Sequence, residues 1–315
     1  MAARHAFHSD TSAGRVMFQT IVPLFVDALA NAALIFFVAF GLTLVFSVLR
    51  ILNVAHGSFY SIGAYVSASI GLWIVSAGLN PWLTFPALLV SAALVAALFG
   101  PLIERTLVQW TYGRGEAVQI LMTFGLFLIL EDLQRLVFGV SSYYEDTPVA
   151  LLGSIEIGGI IYLNYQLLLI ALAVVALVAM RVFIGHTRMG RLLAVVVADR
   201  EISEALGIDT RRMFTIAFTL GIFLAALGGA LATPTAGVAP GLGADTMVLA
   251  FAVAAIGGLG QVEGAALAAV IVAAARVLAI YLFPALDAVA PYLVMLIVLL
   301  VRPYGLFGKP AIRRI

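Results

Sequence analysis

The 315-residue chain has no cysteine, a single lysine and little charge of either sign. Without cysteine there is no disulfide, no thiolate nucleophile and no cysteine metal site. The one lysine, Lys309, is followed by Pro310, so the GxxxxGK[ST] loop that cradles nucleotide phosphates is excluded. The chain therefore cannot bind and hydrolyse ATP by that route. Charged residues make up 10% of the sequence and apolar ones 63%, whereas a soluble domain carries about 25% charged residues. Such a chain is built for a lipid environment. Its net charge is +1, and its basic residues gather at the ends of apolar runs, which leaves no basic face for a nucleic acid.

A bilayer core about 30 Å thick takes roughly 20 apolar residues per helix. Apolar segments run over 21–49, 54–78, 82–103, 117–138, 165–184, 213–233, 245–259, 264–283 and 288–301. Each is expected to be helical, because an open sheet edge finds no hydrogen bonds in lipid. A β-barrel needs alternating strands of about ten residues, and 167–180 shows no alternation. The fold class is therefore all-α, a polytopic transmembrane bundle of about eight or nine segments. Its plan is a polar N-terminal segment 1–20, a transmembrane domain 21–302 with a cytoplasmic loop 185–212, and a cytoplasmic tail 303–315. The run 21–49 is too long for a signal-peptide core and has no convincing cleavage site, so it is expected to remain as a span.

Arginine placement orients the bundle. Arg188, Arg191, Arg200, Arg211 and Arg212 mark one loop as cytoplasmic, Arg105 and Arg114 another, and Arg302, Lys309, Arg313 and Arg314 the C-terminus. Loop 139–164 has no Arg or Lys, and 234–244 has no charge; both are expected outside. Counting single spans back from the 104–116 loop puts the N-terminus outside, while Arg4 and Arg15 favour the inside. A re-entrant or broken segment at 53–57 would reconcile the two, so the side of the N-terminus stays open.

Three segments interrupt the apolar pattern. The first, 50–60, places Asn53, His56, Gly57, Ser58 and Tyr60 between two apolar runs. Polar groups at membrane depth face a cavity or polar partners, which makes these five the candidate lining of a translocation pathway. The alternative is an interfacial loop in which Asn53 caps the next helix and Gly57 relieves a turn. No second ligand stands at metal spacing from His56, so neither a metal nor a cofactor is assigned. The second segment is the loop 186–212. Asp199, Glu201 and Glu204 lie toward the start of a short helix that Gly207 ends, and Ala198, Ile202, Ala205 and Leu206 recur at helical spacing. Such an amphipathic helix either rests on head groups or docks in a protein groove; its acidic first turn favours the groove. The third, 257–264, sets Gly257, Gly258, Gly260 and Glu263 inside an apolar stretch, as a hinge or as a turn at the membrane boundary.

Small residues four apart, at Gly221, Ala225, Gly229 and Thr233, at Ala250, Ala254 and Gly258, and at Ala265, Ala269 and Ala273, predict close helix packing in lipid. Asp27, Glu131, Asp132, Arg135, Arg276 and Asp287 fall in or near the spans. Glu131 stands four residues before Arg135, an ion-pair spacing, with Asp132 also near that arginine. A proton relay would need ionisable groups strung across the bilayer, and this cluster alone does not supply them.

The break Leu52-Asn53-Val54-Ala55-His56-Gly57, the loop Arg188-Met189-Gly190-Arg191 with Ala198-Asp199 and Leu206-Gly207-Ile208-Asp209, the Gly228-Gly229 pair, the run Ile256-Gly257-Gly258-Leu259-Gly260 and the ending Arg302-Pro303-Tyr304-Gly305-Leu306-Phe307-Gly308 resemble one family. It is the permease family of branched-chain amino acid ABC importers, in particular its H-type subunit. The resemblance extends from about residue 20 to about residue 310. It implies an inner-membrane permease that works with a second related permease, two ABC ATPase subunits and an extracytoplasmic binding protein. ATP and Mg would be bound by the partner ATPases and no cofactor by this chain.

Arg188, Gly190, Arg191, Asp199, Glu201, Glu204, Ala205 and Gly207 then resemble the element that couples a permease to its ATPase. Val54 departs from the family, which often has phenylalanine there. Other members carry urea, short-chain amides or aromatic acids. An ion-coupled secondary transporter would instead show inverted repeats and buried ion ligands. An intramembrane enzyme would need a nucleophile with a base or a metal triad, which a chain with no cysteine and one interior histidine does not offer.

Overall fold

The computed structural model describes residues 3–157 and 159–308. Lys309, Arg313 and Arg314, three of the expected cytoplasmic charges, lie outside the described residues. The described chain forms α1 (Ala3–Leu49), α2 (His56–Ser76), α3 (Thr84–Thr106), α4 (Glu116–Phe138), α5 (Thr147–Leu152), the strands β1 (Ser154–Ile157) and β2 (Ile160–Leu163), α6 (Asn164–His186), α7 (Arg188–Ala198), α8 (Arg200–Ala205), α9 (Thr210–Ala236), α10 (Leu242–Gly257), α11 (Val262–Leu282) and α12 (Ala290–Val301). Each of the nine apolar segments corresponds to a helix. Among the described residues six helical stretches are long and apolar enough to cross a membrane, and the apolar helices α10 and α12 are shorter.

The bundle is organised around α9, which packs against α1, α2 and α3. Its small-residue stripe makes this possible. A Cβ on Gly221 would strike the Val45 side chain and come within 3.0 Å of the Gly41 carbonyl oxygen, and one on Gly229 would strike the Tyr60 carbonyl. Ala225, Ala226 and Ala230 are fully buried on the same helix. In lipid, close backbone approach and dispersion hold helices together, and this stripe supplies both. Across the bundle the Tyr165 hydroxyl on α6 donates to the Leu231 carbonyl at 2.8 Å.

These contacts also set helix directions. Gly41 meets Gly221, and Phe37 meets Gly228, so α1 runs antiparallel to α9, whereas Gly63 at Ala226 and Ala64 at Thr233 make α2 parallel to it. Because α9 leaves the arginine-rich loop, α2 runs away from the side of that loop and α1 toward it, with the Asp27 end of α1 on the opposite side. The break at 53–57 thus does not invert the parity of the spans.

At the end of the bundle that carries the arginine-rich loop, the fully buried Glu104 on α3 accepts hydrogen bonds from the Tyr112 hydroxyl and the Thr215 hydroxyl, both at 2.6 Å. The Tyr112 ring meets Phe214 edge-on, and the Arg200 guanidinium lies 5.1 Å above the Phe214 ring. Both carboxylate oxygens are thereby satisfied, which is the condition for burying the group. The same side holds the turn between α10 and α11. Gly258 and Gly260 have φ of 95° and 85°, and the Leu306 and Phe307 amides donate to the carbonyls of Ile256 and Gly257 at 2.7 and 3.2 Å. The glycine-rich ending thus caps α10 from outside the helix.

The outward loop is more structured than its sequence pattern implies. It contains α5 and an antiparallel hairpin pairing Ser154 with Leu163, whose four-residue strands are too short for a readable alternation. In that loop Glu145 is buried, and its carboxyl carbon lies 2.7 Å from where a Gly71 Cβ would stand. Burial pushes this carboxyl above its ordinary value of 4.5. A raised carboxyl favours the folded state while protonated; that contribution is full below 4.5 and is lost as pH rises through the folded-state value. We expect Glu145→Gln to raise thermal stability relative to wild type increasingly as pH climbs from about 4 to about 7. Melting curves of the purified protein across that range check it, and a difference independent of pH would contradict it.

Candidate functional site

The chain leaves α1 through Arg50, a non-glycine residue at φ 57°, whose amide donates to the Phe46 carbonyl at 2.9 Å. It then turns back into the bundle. The ring nitrogen Nε2 of His56 lies 2.8 Å from where a Gly41 Cβ would be. At 1.5 Å per residue, the eight residues from Gly41 to Leu49 span about 12 Å, so α2 starts well inside the membrane. The Leu52 carbonyl within the break accepts from the Thr123 hydroxyl on α4 at 3.2 Å.

The polar residues of the break are fully buried: Asn53, His56 and Ser58 each have 0% exposure. Asn53 does not cap α2, whose N-cap is Ala55; instead its Oδ1 accepts from the Ala55 amide at 3.1 Å and steadies the turn. Asn53 Nδ2, both His56 ring nitrogens and Ser58 Oγ have no hydrogen-bond partner. Native interiors rarely leave such groups unpaired, so this cluster stands out among the buried polar groups of the bundle.

The five pathway candidates do not share one face. His56 and Tyr60 point at α1 and α9. Gly57 faces α10 and is not in a turn: a Cβ there would strike the Gly243 carbonyl. The helix α10 begins after Gly241, at φ 91°, so its amino end meets the amino end of α2 inside the bundle. Beside this junction stand residues the sequence pattern did not single out for the pathway. A Cβ on Gly243 would lie 2.6 Å from Glu131 Oε1 and 2.9 Å from Ser61 Oγ, and Ser61 donates to Gln134 Oε1 at 2.6 Å. The expected Glu131–Arg135 pair is absent: Arg135 pairs with Asp132 at 3.4 Å on the exposed face, while Glu131 turns inward. Spacing of four on a helix permits a pair; which face the bundle covers decides whether it forms. The spacing of Gly57 to Ser61 was the available sequence signal for this face.

In the arginine-rich loop the expected short helix forms as α8, and a further helix, α7, precedes it. In α7, Thr187 caps by accepting from the Gly190 amide at 3.0 Å, and Gly190 packs directly on the Phe183 carbonyl of α6. Asp199 breaks the helix and caps α8, accepting from the Ile202 amide at 3.0 Å. Glu204 accepts from Arg200 at 2.9 Å and from the Thr210 hydroxyl at 2.8 Å; these bonds hold its carboxyl below the usual range. Gly207 stops α8 at φ 78°. Arg188, Arg191, Glu201 and Ala205 are exposed. So are two apolar side chains, Ile202 at 56% and Leu206 at 70%.

The third segment forms the turn already described, where a Cβ on Gly257 would lie 2.6 Å from the Gly264 carbonyl oxygen and Glu263 reaches Arg181 at 3.3 Å. A recess of about 600 Å³ opens between α3 and α6 and is lined by apolar side chains such as Phe85, Leu168, Leu172, Phe223 and Leu227. It lies apart from the polar junction and has nothing to orient a polar cargo.

A bundle of membrane-crossing helices with a polar break at its centre and a capped amphipathic helix at one end is a membrane transport subunit. The family model described as branched-chain amino acid transport system / permease component matches residues 24–300, and the chain belongs to that family. It is therefore the permease subunit of an ABC importer, a multi-pass protein of the inner membrane. The high-affinity branched-chain amino acid transport system permease protein LivH of Salmonella typhimurium is 28% identical over 286 residues, covering 88% of this chain and 92% of that protein. The corresponding permease BraD of Pseudomonas aeruginosa is 26% identical with the same coverage. A probable LivH of Methanocaldococcus jannaschii is 24% identical over 305 residues, 89% of this chain and 90% of that protein.

Proposed function

We propose that this chain forms half of the pathway through which branched-chain or closely related amino acids enter the cell. A second related permease completes the pathway, two ATPase subunits bind ATP and Mg and drive it, and an extracytoplasmic binding protein delivers the cargo. The chain itself carries out no hydrolysis and holds no cofactor. Coupling runs through α7 and α8: closure of the ATPases tilts the pair, and the packing of α7 on α6 and α9 carries the motion to the junction of α2 and α10. The residues of this element are Arg188, Gly190, Arg191, Asp199, Glu201, Glu204, Ala205 and Gly207. Gly257, Gly258, Gly260 and Glu263 form the bend about which α10 moves.

The observation that carries this reading is the exposed pair Ile202 and Leu206 on a helix held rigid by its caps. Exposed apolar side chains on a small, ordered, polar-flanked helix at the arginine-rich side fit a protein groove better than lipid head groups. Because the chain has no cysteine, Ile202→Cys supplies a single reactive thiol. Thiol crosslinking in membranes containing the assembled transporter is expected to join it to an ATPase subunit, with a yield that changes when ATP is added. Assembly without any crosslink to a nucleotide-hydrolysing protein would refute the docking.

A further inference from the structure

We propose that Glu131 receives the ammonium group of the amino acid as it crosses the bundle. This inference rests on the functional reading above and deepens it. Glu131 is 9% exposed, and its Oε1 has no hydrogen-bond partner. It stands 15 residues into α4 from Glu116 and seven before Phe138, about 22 Å and about 10 Å from the two ends of that helix, and so within its span. Arg135, one helical turn further on, is engaged by Asp132 at 3.4 Å on the exposed face and acts on Glu131 through its field, not through a contact. An ionised carboxylate in such a place is costly unless a cation or several donors reach it.

The surroundings fit a primary ammonium, which has three donors to place. Around Oε1 lie the Ser61 hydroxyl and, through it, the Gln134 amide oxygen. Gln134 spends its own amide group on the Leu130 carbonyl at 3.0 Å, which leaves its oxygen turned toward the site. Gly57 and Gly243 keep the wall beside Glu131 free of side chains. Between cargo molecules, the amino ends of α2 and α10, 21 and 16 residues long, offset part of the negative charge. When the ammonium arrives it supplies the missing counter-charge.

Two states of Glu131 give opposite expectations. If it is permanently protonated, glutamine is a near-isosteric replacement and transport is unchanged. If it holds an ammonium, glutamine loses the charge and transport falls. The test uses the complete transporter in proteoliposomes, with binding protein loaded with leucine, and reads leucine uptake and ATPase activity together. Glu131→Gln is expected to lower uptake by about tenfold or more while loaded binding protein still stimulates ATP hydrolysis, and Glu131→Asp to restore part of the uptake. Wild-type uptake unaltered by Glu131→Gln overturns this inference alone. Loss of assembly in both variants assigns Glu131 a structural role and also overturns it. A wild-type transporter that moves no amino acid overturns the functional reading and this inference with it.

Discussion

Replacing Gly57 with alanine is expected to abolish transport and to lower the yield of folded protein. The added Cβ would strike the Gly243 carbonyl and come within 2.7 Å of the Met247 Cβ. Neither obstacle is a flexible side-chain tip; both belong to the first turns of α10. The clash is relieved only by parting α2 from α10, and overpacking of this kind costs about 1–3 kcal/mol even where the backbone yields. Gly243→Ala is expected to be milder for folding, because its Cβ would meet the side-chain ends of Glu131 and Ser61, which can turn aside, and only at 3.1 Å the Gly57 carbonyl oxygen. It should instead depress uptake. Gly125→Ala on α4, with nothing within 4 Å of its Cβ, serves as the unchanged control. Detergent-extracted yield and ATP-dependent uptake for the three variants decide the matter; normal uptake in Gly57→Ala would show that the two helices do not need to touch.

Gly207→Pro is expected to leave a well-expressed protein that hydrolysis elsewhere no longer drives. The residue sits at φ 78°, and proline is fixed near −65°. Its amide, which donates to the Glu204 carbonyl at 3.0 Å, is lost as well. Two residues later Asp209 caps α9 by accepting from the Arg212 amide at 3.0 Å, so a displaced backbone at 207 misdirects the start of the central helix. Uptake should fall by tenfold or more, with Gly207→Ala intermediate, since a left-handed alanine costs about 1 kcal/mol. Unchanged uptake at normal expression would remove α8 from the coupling route.

Much of this architecture is readable along the chain. Nine apolar runs became nine helices because lipid leaves a backbone few other ways to satisfy its hydrogen bonds. The small-residue spacing on α9 foretold its contacts, since a stripe without side chains has one use in a membrane. The polar break at 53–58 announced itself by residue type. Other features were hidden. Nothing local distinguishes Glu131 turned toward Ser61 from Glu131 paired with Arg135, because both are compatible with the same helical spacing. The pattern showed the short helix that Asp199 begins but not α7 before it, which the packing of Gly190 on α6 holds in place. The hairpin 154–163 is too brief to show a period.

The order of residues by itself determined that this protein lives in a membrane, which segments are apolar helices and where the pattern breaks, because each of these depends on the transfer of short stretches between water and lipid. The tertiary structure alone decided that the amino ends of α2 and α10 meet at Gly57 and Gly243, and that one carboxylate is left facing that junction. Those outcomes depend on which helices lie side by side, and contacts between residues far apart in the chain leave no local trace in it.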